Sequence, residues 1–265
     1  MAARKQRRLR KRVAVAIAVL LLIPAFFGLY LYCCVIPKHA VTSLRNGYVE
    51  TSFEDGQVRY AFVPAMPDDW APLETVSNDA RSAIMVAEDW RFYRHPGFDV
   101  VEIYYALTDA VRERKRPRGA STIPQQVAKN LFLSSEYSVW RKIKEVAIAV
   151  YSVRALPKDK ILEVYLNTIE YGEGLYGIAN ASKYYFGKEP SELTLKEGAF
   201  LAMLLPNPKL YSQSYHDNAL TPRASETISR ILETMQLLEY LSEEEYEHQL
   251  DASLTFRQRH DAVAP

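Results

Sequence analysis

The chain begins with a short charged stretch that gives way to a long apolar segment. No charged residue occurs between Val13 and Ile36, and a helix of this length spans about 36 Å, enough to cross a hydrocarbon core of about 30 Å. Pro24 and Gly28 are tolerated in such a helix when neighbouring groups satisfy the freed backbone. The pattern therefore predicts a membrane-spanning helix over residues 13–36.

Residues 37–74 follow as a connector with a different pattern. Apolar and polar residues alternate along Tyr48–Phe53 and again along Gln57–Val63, which is the spacing of short β-strands. Three prolines between residues 64 and 72 then interrupt any regular element. We expect two short strands in this connector.

From about residue 77 the apolar positions recur with helical spacing. The first expected helix is capped by Ser77 or Asn78 and runs through 84–86. The helices expected after it are Val100–Val111, 122–133, Trp140–Leu156, Lys158–Ile169, Leu193–Leu205 and Ser225–Tyr240, with a last short helix capped by Ser242 and Glu245. After Glu145, the segment Trp140–Leu156 is apolar on nearly every side, which is typical of a central buried helix. The pattern predicts one mainly α domain over residues 75–265.

The charge is distributed unevenly along the chain. The first twelve residues contain seven basic and no acidic side chains, so the rest holds 26 basic and 32 acidic residues, a net charge of −6. A protein that binds nucleic acid normally presents a basic domain. We therefore expect no nucleic-acid partner.

The same asymmetry predicts how the chain crosses the membrane. The basic tail, residues 1–12, precedes the apolar segment, and a single basic residue, Lys38, follows it closely. Positive charge collects on the cytoplasmic side, so we expect the N-terminus in the cytoplasm and the body outside it. The alternative is a cleaved signal peptide, but its apolar region is shorter and no A-x-A cleavage site is evident.

The stretch EDWRFYRHPGFD, residues 88–99, concentrates polar chemistry ahead of a turn. Pro96 and Gly97 end any helix, which places Glu88 and Asp89 just before a loop. A carboxylate there is suited to act as a general base or to bind a metal. The alternative, which the pattern alone favours, is a surface helix with a capping histidine.

Glu145 stands at the entrance to the most apolar helix, in the stretch RKIKE. A buried carboxylate is costly unless it is paired or functional. Arg141 and Lys142 lie one helical turn earlier and are placed to neutralise it. The pattern alone favours a plain ion pair, and a functional carboxylate is the alternative.

The stretch GASTIPQQVAKNLF, residues 119–132, combines helix-starting and helix-breaking residues. Ser121 is a suitable N-cap, which puts Pro124 in the first turn, where a missing amide costs nothing. Free amides, hydroxyls and Lys129 then converge near a helix N-terminus, a natural anion site. The preceding run 112–118 adds five basic residues. A capped helix after a solvated basic loop fits equally well.

Five blocks, taken in order, resemble one known family. They are EDWRFYRHPGFD (88–99), GASTIPQQVAKNLF (119–132), RKIKE (141–145), KILEVYLNTIEYGEGLYGIANASKYYFGK (160–188) and EGAFLAMLLPNP (197–208). From about residue 75 to 240 the chain is similar to the peptidoglycan glycosyltransferases of family 51, the lipid II polymerases also found in class A penicillin-binding proteins. The resemblance implies a mainly α, lysozyme-like fold with two lobes.

The resemblance also implies roles for the matching residues. Glu88 matches the base that removes a proton from the acceptor sugar's 4-hydroxyl, and Glu145 matches a second catalytic glutamate. The residues that match contacts with the donor's diphosphate and sugars are Ser121, Gln125, Gln126, Lys129, Arg141 and Lys144. A divalent cation, Mg²⁺ or Mn²⁺, is associated with the family, and Glu88 is a candidate ligand for it.

The implied reaction is polymerisation of lipid II into β-1,4-linked strands with inversion and release of undecaprenyl diphosphate. The implied partners are lipid II, the growing lipid-linked strand, the membrane and other proteins of cell-wall synthesis. The implied location is the inner membrane, with the catalytic domain in the periplasm. We expect the monofunctional form, because the chain leaves no room for a transpeptidase domain.

Three positions depart from the family's usual pattern. Ala120 replaces a glycine, Pro124 replaces a threonine, and Tyr137 replaces a basic residue that contacts diphosphate. Ala120 is strained only if its position needs a positive φ. The alternatives are a catalytically weak scaffold and a lysozyme-like hydrolase. We expect an active polymerase, because a glycan hydrolase has no diphosphate to bind.

Overall fold

The structure is a computed structural model that describes residues 2–113, 120–134, 136 and 138–257. The helices are α1 (Ala2–Tyr30), α2 (Lys38–Ser43), α3 (Asn78–Asp89), α4 (Val100–Glu113), α5 (Ile123–Phe132), α6 (Val139–Ala155), α7 (Lys158–Thr168), α8 (Ile178–Phe186), α9 (Leu195–Leu204), α10 (Pro208–Tyr211), α11 (Gln213–His216), α12 (Pro222–Leu237) and α13 (Glu243–Asp251). The strands are β1 (Tyr48–Glu54), β2 (Gln57–Val63), β3 (Glu170–Gly172) and β4 (Leu175–Tyr176). The predicted mainly α fold is confirmed.

The apolar segment near the N-terminus is helical, as predicted. Helix α1 continues into a π-helical turn at Leu31–Val35. The stretch Ala18–Val35 has a mean hydropathy of 2.3, and none of it is buried by the rest of the protein. Among the described residues, this is the one helix long and apolar enough to cross a membrane.

The two predicted strands form an antiparallel hairpin, in which Tyr48 pairs with Val63 and Glu54 with Gln57. The turn residues Asp55 and Gly56 both have positive φ, at 52° and 75°, as a tight hairpin turn with the right twist requires. Strands β1 and β2 thus match the predicted positions to within one residue.

The end of the connector docks on the helical body through α7. The side-chain amide of Asn167 accepts a hydrogen bond from Ala71 N at 2.7 Å and donates one to Ala71 O at 2.8 Å. The indole of Trp70 and the backbone amide of Leu73 both donate to the carboxylate of Glu163. The connector is therefore packed against the domain just ahead of the predicted boundary at residue 75.

Helices α3 and α9 form the centre of the core. Ser77 Oγ accepts from Ala80 N and caps α3, one of the two predicted caps. A Cβ on Gly198 of α9 would lie 2.4 Å from Ala80 Cα, so only glycine permits this crossing. The close contact fixes α3, and with it the Glu88 side chain near its C-terminal end.

Helix α9, and not α6, is the fully buried helix. All the residues of α9 except Lys196 are buried, whereas in α6 only Glu145, Ile148, Ala149 and Ser152 are buried. The prediction of a central buried helix at Trp140–Leu156 is therefore wrong. At its start, Val139 and Trp140 are exposed, and Trp140 contacts Phe27 and Tyr30 at the end of α1.

Several boundaries differ from the predicted ones because capping residues were overlooked. Thr221 caps α12 through Ala224 N, so this helix begins before Ser225 and ends at Leu237. Thr194 caps α9 in the same way, with Glu197 completing a capping box. The predicted box of Ser242 and Glu245 is confirmed at the start of α13.

Candidate active site

Glu88 lies in the last turn of α3 and lines a large cleft. Gln126 Nε2 of α5 donates to Glu88 Oε2 at 2.6 Å, and the Tyr165 hydroxyl lies 3.4 Å from the same oxygen. Burial raises the pKa of Glu88, and the charge of Asp89 adds to this effect. The hydrogen bonds from Gln126 and Tyr165, and the charge of Lys129, oppose it.

Asp89, the next residue, holds the loop that follows α3. Its carboxylate lies 2.9 Å from His95 Nε2 and accepts from Ile123 N at 2.9 Å. His95 Nδ1 accepts from Gly97 N, so the proton on Nε2 is available to Asp89. Both side chains are buried. The expectation of a surface helix with a capping histidine is therefore wrong.

The loop also binds two further helices through Gly97. Thr122 Oγ1, at the start of α5, donates to Gly97 O at 2.8 Å. Gly97 has a φ of 111°, and a Cβ there would lie 2.8 Å from the backbone of Ala149 in α6. The loop is thus fixed against α5 and α6, which carry most of the other predicted site residues.

The start of α5 differs from the prediction in two respects. Thr122 is the N-cap, in a capping box with Gln125, whose Oε1 accepts from Thr122 N at 3.0 Å. Ser121 therefore lies outside the helix, although Pro124 is in the first turn as expected. Gln125 is buried, and its side chain is part of the cap of α5, so its contact with the substrate stays a prediction.

The first-turn amides of α5 are already occupied. Asp89 accepts from Ile123 N, Pro124 has no amide hydrogen, and the Thr122 side chain accepts from Gln125 N in the capping box. Gln125 in turn accepts from Thr122 N, the amide of the N-cap. The predicted anion site built on free helix amides is therefore wrong, and any anion must be bound by side chains. Ala120 lies in the cleft wall.

A cluster of basic side chains surrounds the buried carboxylate of Glu145. Arg141 Nη1 lies 3.2 Å from Glu145 Oε2, and Lys142 Nζ bonds the other oxygen. Lys142 also donates to Ser121 Oγ at 2.8 Å, which joins the Ser121 segment to α6. The predicted ion pairs of Glu145 are thus present, and they leave it bonded to two cations.

Lys129 interacts electrostatically with both glutamates. Its side chain reaches solvent, yet partial desolvation lowers its pKa, while the charges of Glu145 and Glu88 oppose that shift. Arg141 and Lys142 add to the lowering. The structure therefore brings Glu88, Lys129 and the Glu145 cluster into one electrostatic site.

Two parts of the prediction fall outside this site. Within the described residues, Lys144 makes no hydrogen bond or ion pair with the cluster, although it was expected to contact the substrate. The second part comprises Gly119, Tyr137 and most of the basic run 112–118, which lie outside the residues that the structure describes.

The cleft beside Glu88 has a volume of about 970 Å³. One wall is formed by Glu88, Asp89 and Ser121, and the facing wall includes Arg223 and Arg230 of α12. The sequence pattern assigned no role to these two arginines of α12. Their spacing of seven residues, about two helical turns, places them on one face of the helix and was a signal that they act together. The volume is in the range of sites that enclose a ligand.

The chemistry around Glu88 does not fit a metal ion held by the protein. Among the described residues, no three His, Cys, Asp or Glu side chains are grouped to hold one. The neighbouring carboxylate, Asp89, is already bonded to His95 and Ile123 N. Glu88 is then a single oxygen ligand, whereas Mg²⁺ requires about six.

Comparisons with known proteins identify relatives over most of the chain. A family profile described as Transglycosylase matches residues 56–236. A biosynthetic peptidoglycan transglycosylase of Nitrosomonas eutropha is 43% identical over 162 residues, which are 61% of this chain and 66% of that protein. The protein of the same name from Thiobacillus denitrificans is 36% identical over 224 residues, 84% of this chain and 94% of that protein.

The match therefore spans just under two thirds of the first relative and nearly all of the second. A crystal structure of penicillin-binding protein 1A from Haemophilus influenzae matches 51% of this chain and 17% of that protein. The identity is 28% and the TM-score is 0.31, a value too low to bear on the fold.

Proposed function

The chain belongs to the transglycosylase family of peptidoglycan glycosyltransferases, which act in cell-wall synthesis, and we propose that it polymerises lipid II into β-1,4-linked glycan strands. The observation that carries this proposal is the setting of Glu88. It combines a raised pKa, a bond from Gln126 and a large cleft that is also lined by Ser121, to which Lys142 of the basic cluster donates.

Glu88 is the proposed general base. The acceptor sugar occupies the cleft, and Glu88 removes the proton from its 4-hydroxyl as the oxygen attacks the donor's anomeric carbon. A carboxylate with a raised pKa is a stronger base than one in water, and it must still be ionised at the working pH. The hydrogen bond from Gln126 helps to keep it so.

The basic cluster is the proposed binding site for the donor's diphosphate. Lys129, Arg141 and Lys142 supply three positive charges, and Ser121 presents a hydroxyl beside Lys142. The leaving group gains negative charge as the glycosidic bond breaks, so fixed cations stabilise the transition state. Displacement from the face opposite the leaving group inverts the anomeric centre, converting an α-linked donor to a β-linked product.

Glu145 is proposed to act through the cluster's cations. It is buried and bonded to Arg141 and Lys142, so it holds both side chains in position towards the donor. It also offsets part of the positive charge that the cluster carries before substrate binds. This role differs from that of Glu88, which faces the acceptor.

The membrane and the cation complete the proposal. Helix α1 anchors the chain with its basic tail in the cytoplasm, and the catalytic domain faces the periplasm, where lipid II is presented.

A divalent cation, Mg²⁺ or Mn²⁺, would reach the site with the substrate's diphosphate, since hard oxygen ligands suit both ions. Chelation is expected to lower polymer yield, and added Mg²⁺ to restore it.

The test is polymerisation by the purified full chain in nanodiscs that contain lipid II and Mg²⁺. Wild-type protein is expected to form long strands, and Glu88→Gln to lose at least about 100-fold in rate, the lower range for a general base. Glu244→Gln, on the exposed first turn of α13, is the matched control and should retain full activity.

Two results would contradict the proposal. Equal polymer from wild type and Glu88→Gln would remove Glu88 as the base. Absence of polymer from wild type, with release of sugars from finished cell wall, would favour a hydrolase instead.

A further inference from the structure

A second groove lies on the opposite side of α6 from the catalytic cluster. It has a volume of about 720 Å³ and is formed between the outer end of α1, helix α2 and helix α6. Its lining residues are Gly28, Leu31, Tyr32, Ile36, Thr42, Arg45, Ala147, Val150, Tyr151, Arg154 and Ala155. No role in the reaction described above requires this groove.

Helix α6 separates the groove from the active site. Glu145, Ala149 and Ser152 lie on the buried face, whereas Ala147 and Tyr151 line the groove. Two residues along a helix correspond to a rotation of about 200°, so the two sets point in nearly opposite directions. A ligand in the groove is therefore distinct from the donor bound by the basic cluster.

The groove changes character along its length. Gly28, Leu31 and Ala147 make one part apolar, whereas Arg45 and Arg154 make the other part basic. Arg45 Nη2 donates to Ala155 O at 2.6 Å, which fixes that arginine at the groove's end. Among the described lining residues there is no acidic side chain.

The change from apolar to basic residues along the groove follows the order in which the chain leaves the proposed membrane-spanning helix. Gly28 precedes Ile36 along the outward course of the chain, and Arg45 lies beyond both. If α1 is anchored as proposed, the apolar part of the groove lies at the depth of lipid tails. The basic part then lies at the depth of lipid head groups, where Arg and Lys attract anionic lipid.

We propose that this groove binds one anionic phospholipid of the outer leaflet. An acyl chain lies between the end of α1 and the back of α6, and the phosphate is bound by Arg45 and Arg154. The proposal rests on the membrane orientation given under Proposed function. Charge complementarity and the order of apolar and basic residues select a phospholipid over an apolar protein segment.

The experiment is photo-crosslinking of the full chain in nanodiscs of phosphatidylcholine. The probes are phosphatidylglycerol and phosphatidylcholine that carry a diazirine in one acyl chain, and the labelled residues are mapped by mass spectrometry. The phosphatidylglycerol probe is expected to label Leu31, Ile36 and Val150 more strongly than the phosphatidylcholine probe does.

Two variants remove different parts of the site. Arg154→Gln removes one basic contact and is expected to lower phosphatidylglycerol labelling about five-fold, the effect of one basic residue near an anionic surface. Ala147→Phe fills the apolar part and should lower labelling by both probes. Arg59→Gln, an exposed arginine of the β1–β2 hairpin, is the matched control. Thermal unfolding by circular dichroism confirms that each variant is folded.

Several outcomes would overturn the proposal. Equal labelling by the two probes, or labelling unchanged in both variants, would show that the groove does not select an anionic phospholipid. Displacement of the phosphatidylglycerol probe by excess lipid II would assign the groove to the substrate's own chain. Labelling needs no turnover, so a chain that is labelled but forms no polymer contradicts the proposed function alone.

Discussion

The carboxylate of Glu88 depends on neighbours that come from distant parts of the chain. Gln126 belongs to α5 and Tyr165 to α7, and both bond the same oxygen, Oε2. Burial favours the protonated acid, whereas these bonds favour the ionised base. The balance decides over which pH range Glu88 is able to accept a proton.

The first prediction concerns the hydrogen bond from Gln126. Replacing Gln126 by Met removes a bond that lowers the pKa of Glu88, so the pKa rises further and the acid limb of kcat/KM moves to higher pH. On that limb we expect about a ten-fold loss, the size of a hydrogen bond to a charged group. The measurement is a pH profile of polymerisation. Gln57→Met, at the exposed start of β2, should leave the profile unchanged. An unshifted acid limb in Gln126→Met would exclude this role for Gln126.

The second prediction concerns stability and pH. Because the pKa of Glu88 is raised in the folded state, the folded protein loses stability as pH rises through that pKa and the group ionises. Glu88→Gln removes this loss, so its Tm should exceed that of wild type by about 2–4 °C at neutral pH. At a pH below the unfolded pKa the difference should vanish. Thermal scans across pH test it, and an equal Tm difference at every pH would refute the titration account.

At the scale of elements, the site is assembled where three helices meet around one loop. Asp89, at the end of α3, bonds Ile123 N of α5, and the loop that follows bonds Thr122 and packs against α6 through Gly97. The same contacts place Glu88 relative to the basic cluster on α6. Loop position and catalytic geometry are therefore coupled.

The third prediction tests that coupling at Gly97. A side chain there combines an unfavourable φ of 111° with a Cβ 2.8 Å from the Ala149 backbone. Gly97→Ala is expected to cost roughly 2–4 kcal/mol of stability and to reduce activity. Gly56→Ala is the control, since its φ of 75° is also positive but nothing lies within 4 Å. It should cost about 1 kcal/mol. Similar losses in the two variants, measured by denaturant unfolding, would show that packing on α6 is unimportant.

The fourth prediction separates two lysines of α6. Lys142 bonds Ser121 and Glu145, so Lys142→Met should raise the KM for lipid II at least about ten-fold by removing a charge-assisted contact. Lys144 lies outside the cluster, and Lys144→Met should change KM by less than about three-fold. Initial rates over a range of lipid II concentrations give both values. A larger effect at Lys144 would restore it as a substrate contact.

At the scale of the whole molecule, the anchor and the catalytic body meet at α6. Trp140 lies 6.2 Å from Phe27 and 6.4 Å from Tyr30 between ring centroids, and Tyr151 lies 6.1 Å from Tyr32. The other face of the same helix carries Glu145. The membrane segment thus contacts the back of the helix that holds the proposed donor site.

The fifth prediction concerns orientation in the membrane. In a chain whose only two cysteines, Cys33 and Cys34, are replaced by serine, a thiol is introduced by Ser52→Cys in the exposed hairpin. A membrane-impermeant maleimide should label it in intact spheroplasts. Ala3→Cys, in the basic tail, is the control and should react only after the membrane is permeabilised. The reverse pattern would contradict an N-terminus in the cytoplasm.

Local patterns were sufficient for most helices and for the identity of the main charged residues. They failed where a residue's neighbours come from far along the chain. Asp89 and His95 look like surface polar residues in sequence, yet each is buried because the other satisfies it. In sequence, Gln125 resembles a ligand-binding amide, yet its side-chain oxygen accepts a hydrogen bond from Thr122 N in the cap of α5.

By itself, the sequence determined the membrane-length apolar helix, the hairpin, the mainly α body and the candidates Glu88 and Glu145, because periodicity, turn residues and charge are local properties. The tertiary structure decided which groups remain available for chemistry. The sequence pattern predicted that the amide of Ile123 is free to bind an anion, but that amide donates to Asp89. Lys142 bonds both Ser121 and Glu145, and the sequence did not indicate the bond to Ser121. The physical reason is that hydrogen-bonding capacity is limited, and only the packed chain shows which partner has taken each group.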